Sequence, residues 1–256
     1  MIDIHNHILI GADDGPKTKE DAISLITQAK EEGITSVVAT PHHLHSRYSN
    51  TVSNVKSKVN EIISIEEIKK LNIEIYYGQE IRITDQILSE IKNGDIVGIN
   101  NSRYLLIELP SNEVPHYTHS LLNELQVLGY IPIIVHPERN RAIAQNLDLL
   151  FQLINGGALS QITSTSLNGS MGKNIKKITL QMIDNNLTHF IASDAHSVNE
   201  RPFLMKSLLN DKKLKNYKEE ISELIENAKL IIEDQKLMKK IPTQDYNYKK
   251  KFGIFK

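Results

Sequence analysis

The 256-residue chain is 40% hydrophobic, and its 30 basic and 31 acidic residues leave a formal charge of −1. Such a balance excludes a global basic field that would draw nucleic acid or an anionic membrane surface. The absence of cysteine excludes disulfides, thiolate metal ligands and a cysteine nucleophile together.

At this length one domain with a sizeable core is expected, running from residue 1 to about 240, with a loose basic tail over 241–256. No apolar run approaches the roughly 18 residues of a membrane span, and no signal-like charged and apolar regions open the chain. A cytoplasmic protein is expected. The first apolar run, 2–5, reads as a strand whose period of two puts His5 and His7 on one side. Ala22, Leu25, Ile26 and Ala29 then follow the i, i+3, i+4, i+7 spacing of a helix, Gly33 stops it, and "TSVVATPHH" reads as the next strand. The alternation continues with a helix over about 52–71, strand "IEIYYGQEI", a helix near 85–92, strand "RYLLIEL", a helix near 116–128, and strand "YIPIIVHP". A helix capped by Gly156 and Gly157, strand "ALSQITSTS", a helix near 175–185 and strand "THFIASDAH" complete it. Seven strands, each followed by a helix, predict an α/β protein with a closed or nearly closed parallel barrel. The alternative, an open doubly wound sheet, lacks its glycine-rich phosphate loop after the first strand. Beyond Arg201 the stripe Ile221, Leu224, Ile225 and Ala228 predicts further helix.

All but one of these strands end in residues able to bind metal: His5 and His7, His42 and His43, Glu80, Glu108, His136, then Asp194 and His196. In a parallel barrel those ends form one active face. Glu80 and Glu108 close apolar strands, where a buried charge needs either a basic partner or a cation. A divalent ion shared with the facing imidazoles accounts for both observations. Asp13 and Asp14, in "ADDGP", read as turn residues, with a ligand role equally open for Asp14. Imidazole and carboxylate without sulfur suit manganese, iron or zinc. About nine ligands exceed what one ion takes, so two or three ions are expected, of the kind that activate water for attack at phosphorus or carbonyl carbon. Arg47, Arg139 and Arg201 fall just beyond these ligands, and a guanidinium matches phosphate; Arg139 and Arg201 are the better placed. His43 and His45 are expected to orient His42 and the substrate. His116, His119 and His189 are expected to face solvent.

The ordered motifs "DIHNHIL", "DDG", "ATPHH", "YYGQEI", "LLIELP", "VHPERN" and "SDAHS" resemble the polymerase and histidinol phosphatase (PHP) superfamily. Within it the chain looks like the manganese-dependent protein-tyrosine phosphatases of Gram-positive capsule loci. The resemblance implies a distorted seven-stranded (β/α) barrel with three metal ions. The first would be held by His5, His7, Glu80 and Asp194, the second by Glu80, Glu108 and His136, and the third by Asp14, His42 and His196. Carboxylates at 14 and 108, where many superfamily members have histidine, support the capsule branch; Ile10 stands where proline is frequent. The implied substrate is phosphotyrosine in the tail of a membrane-associated capsule tyrosine kinase, cleaved by direct attack of a metal-bound hydroxide while Arg139 and Arg201 hold the phosphoryl oxygens. With no cysteine, no phospho-enzyme is expected. Two other readings are a PHP phosphoesterase for a small metabolite, such as histidinol phosphate, and a non-enzymatic module that docks on the kinase through its basic tail.

Overall fold

In the computed structural model, which describes residues 1–246, the apolar runs become nine strands. They are β1 (Ile2–Asn6), β2 (Ser36–Ala39), β3 (His42–His43), β4 (Glu74–Tyr77), β5 (Glu80–Arg82), β6 (Tyr104–Glu108), β7 (Ile131–Val135), β8 (Leu159–Thr163) and β9 (Phe190–Ala192). All their pairings are parallel, in a three-stranded sheet ordered β1-β2-β4 and a six-stranded sheet ordered β3-β5-β6-β7-β8-β9. Two of the seven expected strands are each divided. "TSVVATPHH" breaks at Thr40 and Pro41, where proline has no N–H to offer the ladder, and "IEIYYGQEI" breaks at Gly78 and Gln79. Gly78 passes so close to β2 that a Cβ there would lie 3.0 Å from the Val38 side chain. The chains still run together across the break, since the Gly78 N–H donates to the Ala39 carbonyl and the Glu80 N–H to the Pro41 carbonyl.

The expected seven-stranded barrel is thus corrected to two parallel sheets that do not close through a continuous ladder. Between β1 and the segment after β9 there is a single parallel bridge, Asn6 with Ala195, flanked by hydrogen bonds from Asp194 N to His5 O and from His7 N to Ala195 O. Adjacent residues of the strands face opposite ways. Val38, Leu106 and Ile133 join Ile4 and Phe190 in one apolar cluster, while Val37, Ile107 and Ile134 pack with the helices in the other. Burial on both faces explains why the strands read as near-continuous apolar runs.

The helix Lys19–Glu31 begins in a capping box between Thr18 and Asp21 and buries the predicted Ala22, Leu25, Ile26 and Ala29. The helix expected over 52–71 divides at Ile65, whose ψ of 121° leaves the helical region, into Val52–Ser64 and Glu66–Lys69. Gly156 caps the helix Asp148–Asn155, and Gly157 follows at φ 109°. Ile221, Leu224, Ile225 and Ala228 are buried along the helices Lys218–Glu226 and Ala228–Ile232.

Two expectations about the periphery are corrected. Residues 241–246 do not hang loose: Thr243 N donates to the Asn185 carbonyl, Asn185 Nδ2 to the Asp245 carbonyl, and the Tyr246 hydroxyl to Asp148. The lysines of the expected basic tail, Lys249, Lys250, Lys251 and Lys256, lie outside the described residues. His189 is buried at 4% exposure, where its Nδ1 accepts from Ser160 N at 3.1 Å. Burial, followed by the Lys239 charge, lowers its pKa to about 3.

Candidate metal centre

His5 is in β1 and His7 just past it, so period two turns both rings to the same side. His42 starts β3, Glu80 starts β5 in register with it, and Glu108 ends β6. His136 follows β7, and Asp194 and His196 follow β9. The backbone is left-handed at His136 (φ 34°) and Asp194 (φ 54°), a costly state for residues with a Cβ, of the kind that clusters at functional sites.

The structure brings all nine residues together. His5 Nε2, His7 Nε2, Glu80 Oε2 and Asp194 Oδ1 lie 3.2–3.5 Å apart in every pair that includes an imidazole nitrogen. Four ligands set tetrahedrally around an ion at about 2.1 Å stand about 3.4 Å apart. A second group joins His7, Asp14, His42 and His196, with Asp14 Oδ1 3.4 Å from His42 Nε2 and 3.3 Å from His196 Nε2. The third joins His42, Glu80 and Glu108, with His136 Nε2 2.7 Å from the other Glu80 oxygen. This partition differs from the expected one in two respects: His7 and His42 each belong to two groups, and His136 sits one carboxylate oxygen away from its group.

The donor chemistry fits divalent ions. Asp194 Oδ1, His196 Nε2, Glu80 Oε2 and His42 Nδ1 are buried and make no hydrogen bond, the last two approaching to 2.9 Å. A buried polar atom without a partner is costly unless something else satisfies it. Burial opposes a charge on His42, yet the Glu80 and Asp14 carboxylates raise its pKa to about 10. The same negative field favours a cation among them. The His196 and His42 imidazoles facing it hold the Asp14 carboxyl well below the usual carboxylate range.

Around the donors lies a layer that fixes their orientation, and here the sequence reading was incomplete. Asp13 Oδ2 accepts from His7 Nδ1 at 2.6 Å and from His42 N at 3.0 Å, while its Oδ1 accepts from Gly15 N at 3.0 Å. It is the turn residue the sequence suggests, and it also turns the His7 Nε2 toward the cluster. Burial raises its pKa, but the His7 charge and these hydrogen bonds bring it down to about 2. Gln161, on the one expected strand that ends in no metal-capable residue, accepts from His5 Nδ1 at 2.8 Å. His196 Nδ1 donates to the Asp194 carbonyl at 3.0 Å.

Asp13 was hidden by the Asp-Asp-Gly turn signature it belongs to, and Gln161 by its lack of metal affinity. Arg82 was also missed; it pairs with Glu108 Oε2 at 3.0 Å and donates to the Leu109 carbonyl. The alternation of β5 could have found it, because Arg82 and Glu80 share a face.

Arg139 and Arg201 converge on one atom, each donating to Asp194 Oδ2 at 2.5 Å. Arg139 also reaches Thr163 Oγ1 at 3.1 Å, and Thr163 is itself held by the buried Glu138. Above the donors opens a cavity of about 400 Å³ whose lining includes Asp14, His42, Glu108, His136, Arg47, Arg82, Arg139 and Arg201. His43 does not belong to it. As the neighbour of His42 on β3 it faces the opposite way, fully buried, with Nε2 3.5 Å from Glu90, so the expectation that it orients His42 or substrate is corrected. His45 does meet His42, ring on ring at 5.0 Å. His116 and His119 are exposed as expected.

Fold and site together define a parallel α/β protein with an arginine-lined cleft over side chains that could hold metal. More particularly, the chain belongs to the CpsB/CapC family of capsular polysaccharide synthesis, whose model matches residues 1–233. It is 62% identical to CapC of Staphylococcus aureus over 99% of this chain and 100% of that protein. It is 38% identical to the tyrosine-protein phosphatase YwqE of Bacillus subtilis strain 168, over the whole length of both. A crystal structure from the study of YwqE and the Streptococcus pneumoniae CpsB, described as unique metal-dependent tyrosine phosphatases, matches with a TM-score of 0.90. It is 39% identical, covering 94% of this chain and 98% of that one.

Proposed function

We propose that the protein is a metal-dependent phosphotyrosine phosphatase acting on the tail of a membrane-associated capsule tyrosine kinase from the cytoplasmic side. One observation carries this reading: nine imidazole and carboxylate donors converge beneath a cleft where two guanidiniums meet on a single carboxylate oxygen. The family and its named phosphatases support the substrate class, and nothing in those likenesses favours histidinol phosphate.

His5, His7, Glu80 and Asp194 would hold the first ion, Glu80, Glu108, His136 and His42 the second, and Asp14, His42 and His196 the third. With nitrogen and oxygen donors only, manganese is the ion we assign, iron and zinc being compatible with the same donors. Such a cluster, when bound, supplies Lewis-acid charge and acidifies a water for attack on phosphorus. Asp194 ties the two functions together, its Oδ1 among the donors and its Oδ2 under Arg139 and Arg201. The paired guanidiniums are thereby preorganised to take phosphoryl oxygens as their charge redistributes. Thr163 and Glu138 hold Arg139 from behind. The tyrosyl leaving group has a pKa of about 10 and needs less help from an acid than an alkyl oxygen does. A cysteine route has no nucleophile in this chain.

Competition by inorganic phosphate tests the arginine role. In Arg139→Ala the inhibition constant for phosphate and the KM for a phosphotyrosyl peptide rise about 10- to 100-fold, the worth of a charge-assisted hydrogen bond. An unchanged inhibition constant removes Arg139 from the site.

A further inference from the structure

Between β3 and the helix Val52–Ser64 the chain makes a tight turn, closed by two backbone hydrogen bonds: His45 N to Tyr48 O and Tyr48 N to His45 O, each 3.1 Å. Its rings are ordered. His45 stacks on His42 at 5.0 Å, Tyr48 lies 5.6 Å from His45, and the Tyr48 ring is within 9° of parallel to His42 at 5.9 Å. The three rings therefore cluster against a residue of the donor set, with His42 and His45 on the cleft wall. A flat aryl group whose phosphate reached the donors could lie against it at little entropic cost, because the turn already fixes the rings.

Arg47 sits at the tip of this turn, exposed, lining the cleft, with its guanidinium 5.3 Å above the Tyr48 ring. It differs from the other three arginines of the cleft. Arg82 pairs with Glu108, and Arg139 and Arg201 share Asp194; among the described residues no carboxylate pairs with Arg47. Among the described residues Arg47 is thus the cleft arginine without a carboxylate partner, and it stands beside the rings of His45 and Tyr48 rather than at Asp194.

We propose that the turn His45–Tyr48 reads the peptide around the phosphotyrosine, with Arg47 pairing with an acidic side chain close to it in sequence. The inference rests on the phosphatase reading above. It makes Arg47 a specificity residue, distinct from the two arginines assigned to the phosphoryl group.

The test compares kcat/KM on two phosphotyrosyl peptides that differ only in glutamate or glutamine at the flanking positions, with p-nitrophenyl phosphate as a substrate lacking a peptide. The manganese-loaded wild type prefers the glutamate peptide by about fivefold, the scale of an exposed charge pair, and the preference shrinks with added salt. Arg47→Ala abolishes the preference, and Arg47→Glu reverses it, an outcome no general loss of folding can imitate. Equal rates on the two peptides in the wild type, or a preference that survives in both variants, overturns the inference while leaving the phosphatase reading in place. Failure of the wild type on all three substrates overturns the phosphatase reading itself. If Arg47 only braced Tyr48, Arg47→Ala would slow both peptides alike and Arg47→Glu would not reverse their order.

Discussion

Asp13 touches no other member of the donor cluster than His7 and the His42 backbone, yet it decides which nitrogen of His7 faces the cluster. An amide in its place keeps the shape and loses the charge that fixes the imidazole tautomer. Asp13→Asn is expected to lower phosphatase turnover and manganese affinity by about 10- to 100-fold, the usual cost of losing such an orienting partner. Far-ultraviolet circular dichroism would show the fold retained; wild-type affinity and turnover in this variant would assign Asp13 to the turn alone. Much of the cluster was legible at this scale, because histidines and acids at the ends of apolar runs are costly there without a shared purpose. What escaped were residues with two plausible uses. Asp13 accepts from Gly15 N in its turn and from a ligand imidazole at once. His43 carries the right side chain on the wrong face of β3, a consequence of the same alternation that correctly paired His5 with His7.

Strands deliver the donors, and their boundaries carry most of the differences from expectation. Seven apolar runs were visible because parallel strands buried on both faces have no polar interruptions. The interruption of the ladder at Pro41 and the close pass of Gly78 were visible only as residue types. Nothing in a single sequence says that the two breaks stand side by side. Of the seven expected strands, the one ending in no candidate ligand, which becomes β8, serves from behind instead, through Gln161 on His5 and Thr163 on Arg139.

His189 joins β8 to the start of β9. Its backbone N–H donates to the Ser160 carbonyl while its ring accepts from the Ser160 N–H. Its pKa is about 3 in the folded chain against 6.5 for an ordinary histidine. The folded state therefore keeps the ring neutral while the unfolded chain takes up a proton below about pH 6.5. Stability from this group is present above pH 6.5 and is lost as pH falls toward 3, at up to about 1.4 kcal/mol per pH unit. His189→Asn keeps an acceptor for Ser160 N and removes the titration. Urea unfolding of metal-free protein between pH 6.5 and 4.5 should then show a shallower fall in stability for the variant, and parallel curves would show that His189 is not held neutral.

Across the whole molecule, the site lies where the first strand meets the segment after the last one. The sheets are joined there by one bridge and a few hydrogen bonds, and the donors His5, His7, Glu80 and Asp194 come from both sides of that seam. Ions bound among them would fasten β1 to β5 and to the segment after β9, so metal, fold and activity are coupled. The sequence revealed this convergence only through the family resemblance and the position of each donor at a strand end. The most direct test is phosphate release from a phosphotyrosyl peptide by chelator-stripped protein titrated with manganese. The account predicts no turnover without metal and a rise that reaches its plateau only as the three donor groups fill. Turnover that persists in the stripped protein, or that never appears with manganese, iron or zinc, would contradict it.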